Sequence, residues 1–125
     1  MPMKKQTASD AELAILRLLW EDEPLTAREI REMLYPNGTS SDNGTVQKLL
    51  QRLEKKKLIA RDSSSFAHIF RAKVTRSEMA GQQLETLAEK LTEGSLVPFI
   101  MHAVGSKSLT PKERKEIRQM LDGIK

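Results

Sequence analysis

Apolar side chains recur every three or four residues through most of this chain, and most of these stripes open at a polar cap. Ser9-Asp10-Ala11-Glu12 has the serine-to-glutamate spacing of a capping box, and Leu13, Leu16, Leu19 and Trp20 follow on one face. The acidic turn Glu21 to Pro24 ends that first helix. Thr26-Ala27-Arg28-Glu29 is a second capping box, with Ile30, Met33 and Leu34 as the buried face and Pro36-Asn37-Gly38 as the stop. A third helix follows, with Ser41 or Asp42 as its expected cap. Val46, Leu49, Leu50 and Leu53 sit at i, i+3, i+4 and i+7 along it. After Leu58 the period shortens to about two. Leu58 to Asp62 and Phe66 to Ala72 read as two strands of a hairpin around Ser63-Ser64-Ser65. Thr75-Arg76-Ser77-Glu78 then opens a long helix carrying Leu84, Leu87, Ala88 and Leu91, ending near Gly94. The nearly all-apolar Leu96 to Val104 makes a fifth helix with Pro98 in its first turn. Thr110-Pro111-Lys112-Glu113 caps a sixth, with Ile117, Met120, Leu121 and Ile124 on one side.

Three helices, a hairpin and three more helices predict a mainly α fold with a small β wing. The first four elements match a winged helix-turn-helix domain over residues 1–74, followed by a helical dimerisation region over residues 75–125. The last three helices span only about 50 residues, too few to bury an independent core. Their apolar faces need a partner, and a second copy satisfies that need by reusing one patch about a two-fold axis. Leu84, Leu87, Leu91, Ile100, Ile117 and Leu121 are the expected seam.

Charge sharpens this picture. Net charge is only +4, but its distribution is uneven. From Ser9 to Asp42 there are eight acids against three bases; from Asn43 to Lys73 there are eight bases against two acids. A polyanion is attracted to the second segment and repelled by the first. On the helical wheel, Gly44, Lys48, Gln51 and Lys55 fall opposite the leucine stripe of the third helix, flanked by Gln47 and Arg52. In a winged helix-turn-helix that face enters the major groove. Asn43, Thr45, Gln47 and Gln51 can read base edges, Lys48, Arg52 and Lys55 can hold phosphates, and Gly44 permits close approach. Arg61, Ser64 and Arg71 on the hairpin can hold the adjacent backbone. The alternative is a winged-helix protein-interaction module that binds no DNA. The two differ in salt dependence, which is steep only for phosphate contacts.

Other chemistry is scarce. The absence of cysteine excludes disulfides, zinc–cysteine sites, iron–sulfur clusters and thiol catalysis. His68 and His102 are far apart in sequence and lack carboxylate or thiol company, so no metal and no cofactor are expected. Ser63 to Ser65 have no base nearby in sequence, so no enzyme is expected. No stretch approaches the roughly 18 apolar residues of a membrane span. The start, MPMKKQTASD, lacks the apolar core of a secretory signal. A cytoplasmic protein is the expectation.

Ser9-Asp10-Ala11-Glu12-Leu13 with Leu19-Trp20, then Leu25-Thr26, then Gly44-Thr45-Val46-Gln47 with Leu50-Gln51-Arg52-Leu53 and Lys56, resembles the penicillinase-repressor (BlaI/MecI) family. Phe66 to Ala72 resembles that family's aromatic wing strand, and the likeness covers nearly the whole chain. It implies a homodimeric repressor on an inverted-repeat operator, controlling a resistance or stress-response gene. By position it implies DNA contacts at Asn43, Thr45, Gln47 and Lys48. It also implies release through a membrane-bound sensor-protease system, with the cleaved bond at His102–Ala103. The family commonly has glycine just after the third helix, where this chain has Lys57. A left-handed residue there costs about 1 kcal/mol without glycine.

Overall fold

The computed structural model describes residues 7–123 and orders them as α1 (Asp10–Glu21), β1 (Leu25–Thr26), α2 (Ala27–Leu34), α3 (Ser40–Lys55), β2 (Ile59–Asp62), β3 (Ile69–Ala72), α4 (Arg76–Leu91), α5 (Val97–Gly105) and α6 (Pro111–Asp122). Ile124, expected on the last apolar face, lies outside the described residues, as do the first residues of the N-terminal stretch. The chain forms two compact units, one ending at Gln83 and the other beginning at Leu84, so the division falls within α4.

The capping boxes form as their spacing dictates. Ser9, Thr26, Thr75 and Thr110 each accept a bond from the backbone N–H three residues on. The glutamates at those third positions accept from the cap N–H groups in return. Pro98 and Pro111 lie in the first turns of α5 and α6, where a missing N–H costs nothing.

In the first unit, Ile15, Leu16 and Leu19 of α1, Ile30 of α2, and Val46, Leu49, Leu50 and Leu53 of α3 meet Leu25, Ile59, Phe70, Val74 and Met79 in one core. The sheet is antiparallel in the order β1-β3-β2. Its first strand corrects the expected two-stranded wing. Leu25 pairs with Phe70 and Thr26 with Ile69, so the residues just before α2 anchor the hairpin. The hairpin is also shorter than expected. The returning strand begins at Ile69, not Phe66, leaving residues 63–68 as a long tip. The indole Nε1 of Trp20 donates to the Val74 carbonyl at 2.8 Å and ties α1 to the exit of β3.

Two features set the position of α3. Its start is earlier than expected: the Asp42 carboxylate accepts from Thr39 N–H at 2.8 Å, making Thr39 the cap and Ser40 the first helical residue. Ser41 and Asp42 are therefore inside the first turn. Its end is a Schellman motif, with Leu58 N–H bonded to Leu53 C=O and Lys57 N–H to Glu54 C=O. Lys57 holds the left-handed position at φ 63°. Leu53 and Leu58 pack beside it in the core, the apolar contact that accompanies this motif.

Lys56, one of the basic run in the sequence, turns inward instead. Its ammonium donates to Glu12 Oε1 at 2.8 Å and to the Thr7 carbonyl at 2.9 Å. Glu12 is 2 % exposed. Burial raises its carboxyl pKa, but the bonds from Lys56 and Ser9 outweigh that and hold it below the ordinary value. The capping glutamate of α1 is thus also the counter-ion for the end of α3.

In the second unit Ala88 is fully buried. Leu84, Leu87 and Leu91 of α4, Val97, Ile100, Met101 and Val104 of α5, and Met120 and Leu121 of α6 are exposed, while Ile117 is half-buried.

Candidate nucleic-acid interface

The outer face of α3 is bare. Asn43, Gly44, Thr45, Gln47, Lys48, Gln51, Arg52 and Lys55 are all exposed, while Val46, Leu49, Leu50 and Leu53 are buried behind them. One continuous helix of 16 residues carries the whole set. A side chain at Gly44 would meet nothing within 4 Å, so this is an open, flat point on the helix. The Thr45 hydroxyl donates back to Ser41 C=O at 3.1 Å and keeps its lone pairs free to accept. No ion pair among the described residues engages Lys48, Arg52 or Lys55. The outward face offers amides, hydroxyls and cations with no partner carboxylate fixed on them.

The earlier helix start adds residues that sequence reading misses. Ser40 and Ser41 are exposed in the first turn, and Ser41 lies two turns before Lys48 on the same arc. The Thr39-to-Asp42 spacing is the signal for them. Arg28 and Arg31 of α2 are a second omission. With Asn43 and Val46 they line a cleft of about 310 Å³ between α2 and α3. Arg28 also bonds Glu32 at 3.1 Å on the helix surface, and both arginines sit in the acid-rich stretch of the sequence.

The hairpin flanks α3. Strand pairing and the pleat place Arg61 on the core side and Arg71 on the outer side. The structure gives these two arginines different surroundings. Arg61 is engaged inside its own unit: its guanidinium bonds Glu54 at 2.7 Å, sits 3.1 Å from His68 Nδ1 and stacks 5.0 Å from the Phe70 ring centre. Arg71 is exposed beside Asp62. The Asp62 carboxyl lies below its ordinary pKa because Ser64 bonds it, with the charge of Arg71 adding a smaller effect. Ser64 is exposed and its N–H donates to Asp62 Oδ1 at 2.9 Å. The wing tip is therefore tied locally while its arginine on β3 faces outward.

A basic outer helix face beside a hairpin is the arrangement of a winged helix, and sequence comparison supplies the lineage. The family model described as penicillinase repressor matches residues 8–123. The chain belongs to the penicillinase repressor family. It is similar to the penicillinase repressor of Bacillus licheniformis, at 22 % identity over 91 % of this chain and 88 % of that one. It is also similar to the HTH-type transcriptional regulator MgrA of Staphylococcus aureus, at 26 % identity over 97 % of this chain and 72 % of that one. Membership makes the chain a DNA-binding transcriptional regulator and not an enzyme.

The remaining candidate positions lie in the second unit. His102 is exposed and Ala103 half-buried, both inside α5. The Ala103 carbonyl accepts from the backbone N–H and the hydroxyl of Ser106. Among the described residues, no three acids or histidines gather as metal ligands, and no helix is long and apolar enough to cross a membrane.

Proposed function

We propose that this penicillinase repressor family member is a homodimeric repressor that seats one α3 from each subunit in successive major grooves of an inverted-repeat operator. The observation that carries the reading is the arc of Ser41, Gly44, Lys48, Gln51 and Lys55 along α3, exposed opposite a fully buried leucine stripe. The major groove is wide enough to admit such a helix. Asn43, Thr45, Gln47 and Gln51 act on base edges, where amides pair best with adenine. Lys48, Arg52 and Lys55 act on phosphates, and Arg71 and Ser64 extend those contacts along the wing. Arg61 acts at one remove: its bonds to Glu54 and His68 brace the hairpin against α3.

The dimer reading rests on the second unit. Leu84, Leu87, Leu91, Ile100 and Leu121 are each more than a third exposed, and Ile117 is half-buried. Val97, Met101, Val104 and Met120 widen that apolar surface beyond the seam read from sequence. Large apolar side chains left exposed on three successive helices of one unit support an interface there. Repression of a resistance gene is the role that the name of the Bacillus licheniformis relative, a penicillinase repressor, suggests, and a stress-response gene is the broader reading. A membrane-bound sensor-protease system acting at His102–Ala103 would have to unwind α5 first, because that bond lies within the helix.

Selection from a pool of random duplexes by the purified full chain tests the proposal. Enrichment of two half-sites in inverted orientation, one helical turn or a multiple apart, is the expected result. A pool that returns without any enriched sequence overturns it.

A further inference from the structure

Phe66 stands at the tip of the wing with its side chain entirely clear of the chain, 106 % exposed. The next most exposed large apolar residues, at 66–69 %, lie on α4, α5 and α6. Within the first unit Phe66 stands well above Met33, at 45 % the next among the described residues, and it lies on the hairpin between Arg61 and Arg71. The tip that holds it is built, not slack. The Ser65 hydroxyl donates to the Ala67 carbonyl at 2.8 Å, closing a small loop whose middle residue is Phe66. Just before it, Ser64 N–H donates to Asp62 Oδ1 at 2.9 Å. Below it, Arg61 locks the hairpin to α3 through Glu54. An aromatic ring exposed in this way gains nothing from its own fold, and its burial is left for a partner.

We propose that Phe66 is a wedge that enters the minor groove beside the half-site and partly unstacks one base step. This rests on the DNA-binding reading of α3 and names a contact which that reading does not require. Charge complementarity selects the partner. Arg71 is exposed on the outward side of β3, and Asp62, whose carboxylate feels its charge, is bound up in the turn by Ser64. Reach agrees as well. The centre of a minor groove lies about 17 Å along the axis from the neighbouring major-groove centre, half of a helical turn of about 34 Å. Four paired residues in each strand extend about 13 Å, and the three residues from there to the loop apex cover the remainder. Apolar side chains inserted from the minor-groove side are a known means of kinking a duplex, and pyrimidine–purine steps yield most easily.

The test uses the full chain and a duplex enriched by the wild type from the random pool, with 2-aminopurine placed in turn at each step flanking the half-site. Wild type raises the fluorescence at one flanking step on each side and shortens the end-to-end distance measured by energy transfer. Phe66→Ala abolishes both signals and weakens binding to this duplex by about tenfold. Phe66→Leu, an alternative wedge, restores both signals. The melting temperature of Phe66→Ala matches wild type, because the ring touches nothing in the fold. Unchanged affinity with silent probes at every flanking step overturns the wedge while leaving the α3 reading intact. A Phe66→Ala chain that loses self-association but keeps its probe signals assigns the ring to a protein partner and overturns the wedge too. Wild type that binds no duplex overturns both readings together.

Discussion

Replacing Lys57 isolates the energetic consequence of ending α3 without glycine. Lys57 sits at φ 63° as the left-handed residue of the Schellman motif, exposed and without an ion pair among the described residues. A residue with a Cβ loses roughly 1–2 kcal/mol in that conformation. Glycine removes the strain, while its greater freedom in the unfolded chain takes back about 0.5–1 kcal/mol. Lys57→Gly is therefore expected to stabilise the protein by about 0.5–1 kcal/mol, a rise of about 2–4 °C in Tm. Lys57→Ala removes the same charge and keeps the strain, so it stays close to wild type. The comparison is decisive because its sign opposes the ordinary rule: within a helix alanine is more stable than glycine by about 1 kcal/mol. Urea denaturation and calorimetry of the three proteins give the order directly. Alanine equal to or above glycine would refute a left-handed Lys57.

Further expectations concern the buried pair, the helix face and the seam. Lys56→Met leaves the Glu12 carboxylate buried without its counter-ion and should cost about 2 kcal/mol near neutral pH, after discounting for the partly exposed ammonium. Because Glu12 is held below its ordinary pKa, its contribution is complete above the ordinary glutamate value and lost as pH falls through the lower folded value. The gap between wild type and Lys56→Met in denaturant titrations should narrow over that acid range; a constant gap would remove the pair from the account. Lys48→Ala should weaken binding to all duplexes alike and flatten the salt slope by about one for each phosphate that its ammonium no longer neutralises. An unchanged slope would place Lys48 away from the backbone. Gln47→Ala should cost roughly 1–3 kcal/mol on the selected site alone, and an equal loss on random DNA would contradict its base-reading role. Leu87→Asp should sediment as monomer and bind half-sites weakly, whereas a persistent dimer would move the seam elsewhere.

Much of this fold is legible in the sequence because local rules and burial agree. Ser9, Thr26, Thr75 and Thr110 announce helix starts through a spacing that uses only backbone and nearby side chains, and all of them form. The leucine stripe of α3 is legible for the same reason, and its opposite face follows by geometry. What escapes is set by distant contacts. The strand Leu25–Thr26 exists only because Phe70 and Ile69 lie beside it, and two residues carry no periodicity. Lys56 looks like one more cation in a basic run, because its partner is Glu12, 44 positions earlier. Arg61 reads as a free cation because Glu54 and Phe70 reach it only through tertiary packing. The start of α3 is easily misplaced because serines and an aspartate in a row offer several caps, and the one used, Thr39, precedes them.

The central claim is that the cations of α3 meet the phosphates of a duplex. Its most direct test is the affinity of the wild-type chain for a selected operator duplex, measured across salt concentrations. With about six phosphates neutralised per dimer, log affinity should fall against log salt with a slope of about −5. An affinity that stays flat from low to high salt would contradict the claim.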